Sequence, residues 1–279
     1  MNKSAKTGAL IRAAHIEPTV MVTGLTALLA LAAGIGASCL ALVTAAVFAG
    51  QLVIGWSNDL VDAARDTAVR RADKPLAIGE ITPKAVSVAV GVAAVAAVGL
   101  SAALGWRSAW LHLVLVVGSG VAYNLGLKAT VWSWLPFVVA FGTLPAVVSF
   151  AASPPGPPTV WIVAAGALLG AAAHFLNTLP DFADDASTGI RGLPHRIGGS
   201  RSLAVAAVLL LSASLVTVLG PPGSPPVVAW VALLLAAGLA VGALTGRGRV
   251  PFRCGVAIAG LNVMLLVLMT HPWAGGLHR

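Results

Sequence analysis

Long apolar stretches, separated by short polar or proline-rich segments, run along almost the whole chain. A helix needs roughly 20 mostly apolar residues to cross a bilayer. No segment of strand length shows the alternation of apolar and polar positions that marks a half-buried strand. The pattern predicts an all-α polytopic membrane bundle of about nine transmembrane helices, over residues 20–35, 37–56, 84–104, 109–125, 131–151, 160–177, 203–219, 227–243 and 256–269.

The composition excludes a soluble globular protein. Hydrophobic residues make up 58% of the 279 residues and charged residues only 9%, against about 25% charged in a typical soluble domain. Too few polar side chains remain to cover a soluble surface, and the same apolar content excludes a disordered chain. We therefore expect one integral membrane domain over residues 1–279, in which residues 1–18 form a cytoplasmic N-terminal tail.

The basic residues predict the orientation of the bundle. With the N-terminus inside, 15 of the 17 Lys and Arg residues fall in inner segments, and only Arg107 and Arg279 fall outside. An excess of basic residues marks the cytoplasmic side of a membrane protein. We expect an integral protein of the cell membrane with a cytoplasmic N-terminus. Topology accounts for much of the net charge of +8, so nucleic acid is not expected as a partner.

Eight of the nine acidic residues lie in two inner segments, five between residues 59 and 80 and three between 181 and 185, and only Glu17 lies elsewhere. In the first acidic window, residues 58–66, the spacing of Asp59, Asp62 and Asp66 is i, i+3 and i+7. A helix places such residues on one face. Like charges arranged in this way repel one another unless a cation lies among them.

The second acidic window, residues 177–185, repeats this arrangement. Asn177, Asp181 and Asp185 are spaced i, i+4 and i+8, whereas Asp184 points elsewhere. Oxygen ligands without clustered His or Cys are typical of Mg²⁺ sites. Both windows follow even-numbered predicted helices, so they should open on the same membrane face and form an active-site mouth on the cytoplasmic side.

Basic residues accompany both windows: Arg70, Arg71, Lys74, Lys128, Arg191 and Arg196. Cations mixed with metal-binding carboxylates favour a polyanionic ligand bridged by metal ions, and a diphosphate is the natural candidate. Because this mouth would belong to an apolar bundle, the rest of the substrate should be hydrophobic. The plainer interpretation is a solvated cytoplasmic loop, and it applies best to Arg65 and Asp73.

The chain resembles the UbiA-type intramembrane prenyltransferases at these positions. Their first motif, Asn-Asp-x-x-Asp-x-x-x-Asp, is matched by residues 58–66, and its basic continuation by Arg71 and Lys74-Pro75. Their second motif, Asp-x-x-x-Asp, is matched by Asp181 and Asp185, with a tail similar to Gly189, Leu193-Pro194 and Arg196-Ile197-Gly198. The stretch from Tyr123 through Lys128 to Thr130 is similar to a third family segment. Lys74 stands where Arg is common, and Asn124 where Pro or Ser is common.

The resemblance implies transfer of an isoprenoid chain from an allylic diphosphate to a lipid-soluble, usually aromatic, acceptor. The expected catalytic residues are Asp59, Asp62, Asp66, Asp181 and Asp185, and the expected ligands of two Mg²⁺ ions are these five together with Asn58 and Asn177. Diphosphate would bind Arg71, Lys74, Lys128 and Arg196, and Tyr123 and His174 would line the acceptor or cation pocket. His112, near the outer end of its helix, is expected to be a hydrogen-bonded packing or interface residue.

Two other functions remain open at the level of sequence. A membrane terpene cyclase of the same superfamily would use the same metal site but close the cation on its own chain. A divalent cation transporter would place its acids along a path near the bilayer centre. The sequence does not identify the acceptor or the donor chain length.

Overall fold

The structure, a computed structural model, describes residues 3–180, 182, 185, 189–247 and 249–270 of the chain. These residues contain helices and no β-strand, which confirms the predicted all-α class for the described part. In chain order the elements are α1 (Lys3–Ala13), α2 (Ile16–Ala32), α3 (Ala37–Ala68), α4 (Pro83–Ala103), α5 (Trp106–Trp110), a π-helix (Leu111–Val117), α6 (Gly118–Asn124), a 3₁₀ turn (Leu127–Ala129), α7 (Leu135–Ala151), α8 (Val160–Thr178), α9 (Leu193–Ile197), α10 (Gly199–Leu219), α11 (Val227–Thr245) and α12 (Val250–Thr270).

Each of the nine predicted segments overlaps an apolar helix or helical stretch in the described part of the chain. Six of these helices are individually long and apolar enough to cross a membrane: α3, α4, α8, α10, α11 and α12. Helices α1 and α2 qualify as a seventh span only when they are taken together, because they meet at a bend of 63°. The protein is an integral membrane protein, and nine spans remain a prediction.

The amino-terminal segment is not an extended tail. Helix α1 occupies most of the region predicted as a tail, and α2 begins at Ile16, four residues before the predicted helix. Ala9, Ala13 and Ala14 are fully or almost fully buried, and the indole Nε1 of Trp56 donates to the carbonyl oxygen of Leu10 (2.9 Å). Helix α1 is therefore docked against α3.

The fourth predicted helix is built from three segments. The π-helix Leu111–Val117 separates α5 from α6. Its His112 is fully buried, and the imidazole Nδ1 lies 2.7 Å from the hydroxyl of Ser101 on α4. This contact agrees with the expected packing role of His112, and it leaves the imidazole Nε2 without a hydrogen-bond partner.

The bundle closes on itself. Helix α2 packs on α3, α3 on α4, and the π-helix on α7; α7 packs on α8, α8 on α10, and α10 on α11 and α12. The last helix, α12, then returns to α2. Helices α3, α6 and α8 run in the same direction, so their C-terminal ends lie at the same end of the bundle.

Helices α7 and α8 approach each other closely through glycine. A Cβ on Gly166 would lie 2.6 Å from the carbonyl oxygen of Phe141, and one on Gly170 would overlap the carbonyl oxygen of Phe137. Small residues allow this close contact between apolar helices in lipid. The same contact brings the aromatic side chains of α7 onto the face of α8 that carries His174.

Candidate active site

The three aspartates of the first acidic window lie on the last turns of α3 and are all buried. Asp59 is 2% exposed, and Asp62 and Asp66 are each 9% exposed. The helix runs without a break to Ala68, so the predicted spacing does place the three residues on one face. Buried carboxylates require compensation by cations, hydrogen bonds or metal ions, and each neighbour of this face is therefore informative.

Asp59 is held by two side chains from other elements. The ammonium Nζ of Lys74 donates to Oδ1 of Asp59 (2.8 Å), and the imidazole Nε2 of His15 lies 2.8 Å from the same oxygen. The second oxygen, Oδ2, is buried and has no hydrogen-bond partner. Asp59 therefore keeps one buried oxygen available to a further ligand.

Asp62 is bound by two cations. Lys128, from the 3₁₀ turn after α6, places its Nζ 2.6 Å from both carboxylate oxygens, and Arg65 donates to Oδ1 (2.5 Å). Burial lowers the pKa of Lys128, and the hydrogen bonds and charge of Asp62 oppose that effect. The Asp62–Lys128 pair fixes the turn after α6 against the end of α3.

Asn58 connects the same two elements through amides. Its Nδ2 donates to Oδ1 of Asn124 (3.0 Å), and Nδ2 of Asn124 donates to the carbonyl of Ile54 and the hydroxyl of Ser57 (2.9 Å each). Asn124, one of the two residues that depart from the family pattern, is thus part of the scaffold that joins α6 to α3.

The predicted diphosphate-binding cations have different surroundings. Lys74 and Lys128 contact the aspartates directly. Arg71 donates from Nε and Nη2 to the two oxygens of Asp73 (2.8 Å each), and this contact lowers the pKa of Asp73 to about 2. Arg196 lies on α9, where its Nε donates to the carbonyl oxygen of Arg191 (2.9 Å).

The second acidic window is described in part. Asn177 is exposed near the end of α8, whereas Asp181 and Asp184 lie outside the described residues. Oδ2 of Asp185 lies 3.5 Å from Nε2 of His195 on α9. The negative charge of Asp185 also favours the protonated form of Lys128 and so opposes the lowering of its pKa by burial. This interaction indicates that Asp185 belongs to the same end of the bundle as Asp62.

Tyr123 and His174, the predicted pocket residues, are neighbours in an aromatic cluster. Their rings are 5.9 Å apart, edge to face, and Phe137 lies 5.2 Å from Tyr123 and 5.1 Å from His174. His174 is only 1% exposed, so it lies behind Tyr123 rather than on an open wall. Its Nε2 is 3.0 Å from the hydroxyl of Ser133.

Two polar residues of this region were missed by sequence reasoning. Ser133 is fully buried, and its hydroxyl also accepts a hydrogen bond from the backbone of Leu193 (3.0 Å), which joins α9 to His174. His15 joins the bend between α1 and α2 to Asp59. A single Ser or His outside any motif gives no signal in one sequence, because its partners lie 41 and 44 residues away.

The donor set suits Mg²⁺, which prefers carboxylate and carbonyl oxygens. Within the described part of the chain, no three His, Cys, Asp or Glu side chains are grouped to hold a metal ion. The carboxylate oxygens of Asp59 and Asp62 are instead paired with the cations Lys74, Lys128 and Arg65. The unpartnered Oδ2 of Asp59 and the buried face of three aspartates nevertheless form an oxygen donor set that fits a divalent ion.

Comparison with known proteins gives a consistent result. The family model for the UbiA prenyltransferase family matches residues 19–274. A search of the curated proteins found no match.

Solved structures share the fold at low identity. A UbiA homolog from Aeropyrum pernix K1, in its apo form, is 20% identical, with a TM-score of 0.72 over 91% of this chain and 98% of that chain. A homolog from Archaeoglobus fulgidus bound to GPP and Mg²⁺ is 14% identical, with a TM-score of 0.69 over 93% and 98%. A structure of digeranylgeranylglyceryl phosphate synthase is 15% identical, with a TM-score of 0.68 over 94% and 98%.

Proposed function

Because this chain belongs to the UbiA prenyltransferase family, we propose that it transfers an isoprenoid chain from an allylic prenyl diphosphate to a lipid-soluble aromatic acceptor and releases diphosphate. The observation that carries the proposal is the buried face of Asp59, Asp62 and Asp66, with Lys74 and Lys128 directly against it. A solvated loop would leave these charges exposed. A site for a metal–diphosphate complex needs both signs of charge in one buried place.

The metal ligands in this proposal come from both acidic windows: Asn58, Asp59, Asp62, Asp66, Asn177, Asp181 and Asp185. Bound Mg²⁺ would supply charge stabilisation for the departing diphosphate. Lys74, Lys128, Arg71 and Arg196 would donate hydrogen bonds to its oxygens, which gain charge as the allylic C–O bond breaks. The ammonium of Lys128 would then exchange its contacts with Asp62 for contacts with the diphosphate.

The aromatic cluster would take the carbon chain and the acceptor. The faces of Tyr123 and Phe137 can stabilise an allylic cation through their π electrons. The buried position of His174 and the apolar helices around it keep water from the cation. The acceptor carbon would attack the cation and then lose a proton.

Homologous structures support the donor class. One structure of the homolog from Archaeoglobus fulgidus is bound to GPP and Mg²⁺, and another to DMAPP and Mg²⁺. GPP and DMAPP are allylic diphosphates of different length. We therefore propose an allylic diphosphate donor and Mg²⁺ for this chain. That two ions bind is proposed from the two acidic windows of the sequence.

The test uses purified full-length protein with Mg²⁺, allylic diphosphates of several lengths and a panel of aromatic acceptors. We expect acceptor-dependent release of diphosphate and a prenylated product identified by mass spectrometry. Asp62→Ala and Asp181→Ala should abolish turnover while the protein still inserts into the membrane. Glu80→Gln is the control for the loss of one carboxylate, since Glu80 pairs with Arg12 at the exposed surface.

Other outcomes would identify other functions. A cyclised hydrocarbon formed without acceptor would show a membrane terpene cyclase that uses the same metal–diphosphate site. Flux of divalent cations into liposomes without any diphosphate release would show a transporter. Normal turnover by Asp62→Ala would contradict the two-metal site itself.

A further inference from the structure

His15 contacts the acidic face although it belongs to neither acidic window. It lies at the bend between α1 and α2, and its Nε2 is 2.8 Å from Oδ1 of Asp59 and 2.9 Å from Nζ of Lys74. Lys74 donates to the same oxygen of Asp59. The imidazole of His15 therefore contacts both Asp59, the first carboxylate of the proposed metal site, and Lys74, a residue proposed to bind the diphosphate.

The backbone places this imidazole with precision. His15 has φ 50° and ψ 59°, the left-handed conformation that residues other than glycine adopt infrequently. Such a conformation is strained and persists only where the surroundings enforce it. Here the carbonyl of Ala14 packs against Gly55 on α3 and accepts a hydrogen bond from the hydroxyl of Thr19 (3.0 Å).

The contacts of His15 decide which oxygen of Asp59 is available. Oδ1 is occupied by His15 and Lys74, whereas Oδ2 is buried without a partner. Carboxylates that bind metal ions are commonly oriented by hydrogen bonds from residues behind them, and loss of such a residue costs about 10- to 100-fold in metal affinity or activity. His15 occupies that place relative to Asp59.

We propose that His15 is a positioning residue of the metal site, which holds Asp59 through Oδ1 and presents Oδ2 to the metal ion. The inference rests on the proposed function, because it assigns a role within that same site. It makes the bend between α1 and α2 part of the active site. Helix α1 then serves the site by anchoring His15, through the Trp56–Leu10 hydrogen bond and the packing of Ala14 on Gly55.

The test measures binding of Mn²⁺ alone to the full-length protein in detergent, by electron paramagnetic resonance of the free ion. His15→Gly is the main variant, because glycine adopts a positive φ without strain and the bend can form. We expect its affinity for Mn²⁺ to fall by about 10- to 100-fold, with little change in melting temperature. His15→Gln should recover part of the affinity, because its side-chain amide can also donate to Asp59.

Arg12→Ala is the matched control. Arg12 lies three residues before His15 and pairs with Glu80 across the exposed surface; it is not among the contacts of Asp59. Its Mn²⁺ affinity should equal that of the wild type. An equal loss of Mn²⁺ affinity in Arg12→Ala and His15→Gly would show that His15 only docks α1, which would overturn the inference. An unchanged Mn²⁺ affinity in His15→Gly would also overturn it. A wild type that binds no Mn²⁺ would overturn the proposed metal site and, with it, the role of His15.

Discussion

At the scale of single residues, the Asp62–Lys128 pair is the most consequential contact of the site. Its side chains are 12% and 6% exposed, and loss of one partner leaves the other charge buried. We expect Lys128→Met to destabilise the protein, by up to about 3 kcal/mol. A double-mutant cycle with Asp62→Asn should give a coupling energy on the order of 1–3 kcal/mol. The measurement is the free energy of unfolding in mixed micelles.

The exposed pair Arg71–Asp73 is the control for that cycle. Its Asp73 side chain is 61% exposed, and exposed ion pairs contribute about 0–1 kcal/mol. A coupling energy for Asp62–Lys128 no larger than that of Arg71–Asp73 would contradict the buried ion pair.

In the proposed site, Asp73 would compete with the prenyl diphosphate for Arg71. Since Arg71 holds the pKa of Asp73 at about 2, Asp73 stays ionised as the pH falls from neutrality until the pH approaches that value. The contribution of the Arg71–Asp73 ion pair to stability is complete above the unfolded pKa of Asp73, about 3.9. It is lost only as the pH falls below that value. Asp73→Asn should therefore lower the KM for the prenyl diphosphate by up to about fivefold. The decrease should be the same at roughly pH 6 and pH 8, because Asp73 is ionised at both values. Steady-state kinetics at both values would check this, and a KM effect confined to one pH would contradict it.

Residue-level reasoning predicted the shared face of the aspartates but not all of their partners. The i, i+3, i+7 spacing was sufficient to place Asp59, Asp62 and Asp66 on one face, because α3 is continuous there. It could not show that Lys128 pairs with Asp62 or that His15 contacts Asp59. Those contacts depend on how distant elements pack, and a single sequence carries no signal of that packing.

At the scale of secondary structure, the docking of α1 depends on a glycine. A Cβ on Gly55 would overlap the carbonyl oxygen of Ala14, so Gly55→Ala should displace α1 from α3. We expect faster proteolysis within α1. Gly91→Ala on α4 is the control, since nothing lies within 4 Å of its Cβ position and alanine favours a helix by about 1 kcal/mol. Equal cleavage rates in both variants would show that Gly55 does not control docking.

The elements that sequence reasoning missed share a physical cause. Helix α1 is short and carries Lys3, Lys6 and Arg12, so hydropathy alone does not distinguish it from a solvated tail. The π-helix Leu111–Val117 has no compositional mark, and the contacts of its His112 with Ser101 and Gly50 join it to distant helices that a single sequence does not reveal. The long apolar helices were predictable because lipid requires roughly 20 apolar residues in a row.

At the scale of the whole molecule, the chain order gathers the site at one end of the bundle. The segments at or after the ends of α3, α6 and α8 supply Asp59 and Asp62, Lys128, and Asp185, respectively. The opposite end carries the uncharged proline-rich connections 153–158 and 221–226. A charged diphosphate can reach only an end that faces water, whereas the isoprenoid chain requires the apolar interior. The location of the site thus matches a substrate with one polar and one apolar part.

The excess of basic residues at this end predicts that it faces the cytoplasm of the cell membrane. To test this, Cys39 and Cys254 would be replaced, and single cysteines introduced as Ile78→Cys in the loop after α3 and Ser224→Cys between α10 and α11. An impermeant maleimide should label Ser224→Cys in intact cells and Ile78→Cys only after permeabilisation. The reverse pattern would place the site outside the cell. In that case a prenyl diphosphate in the cytoplasm could not reach Lys74 and Lys128 without crossing the bilayer, where its charge is strongly disfavoured.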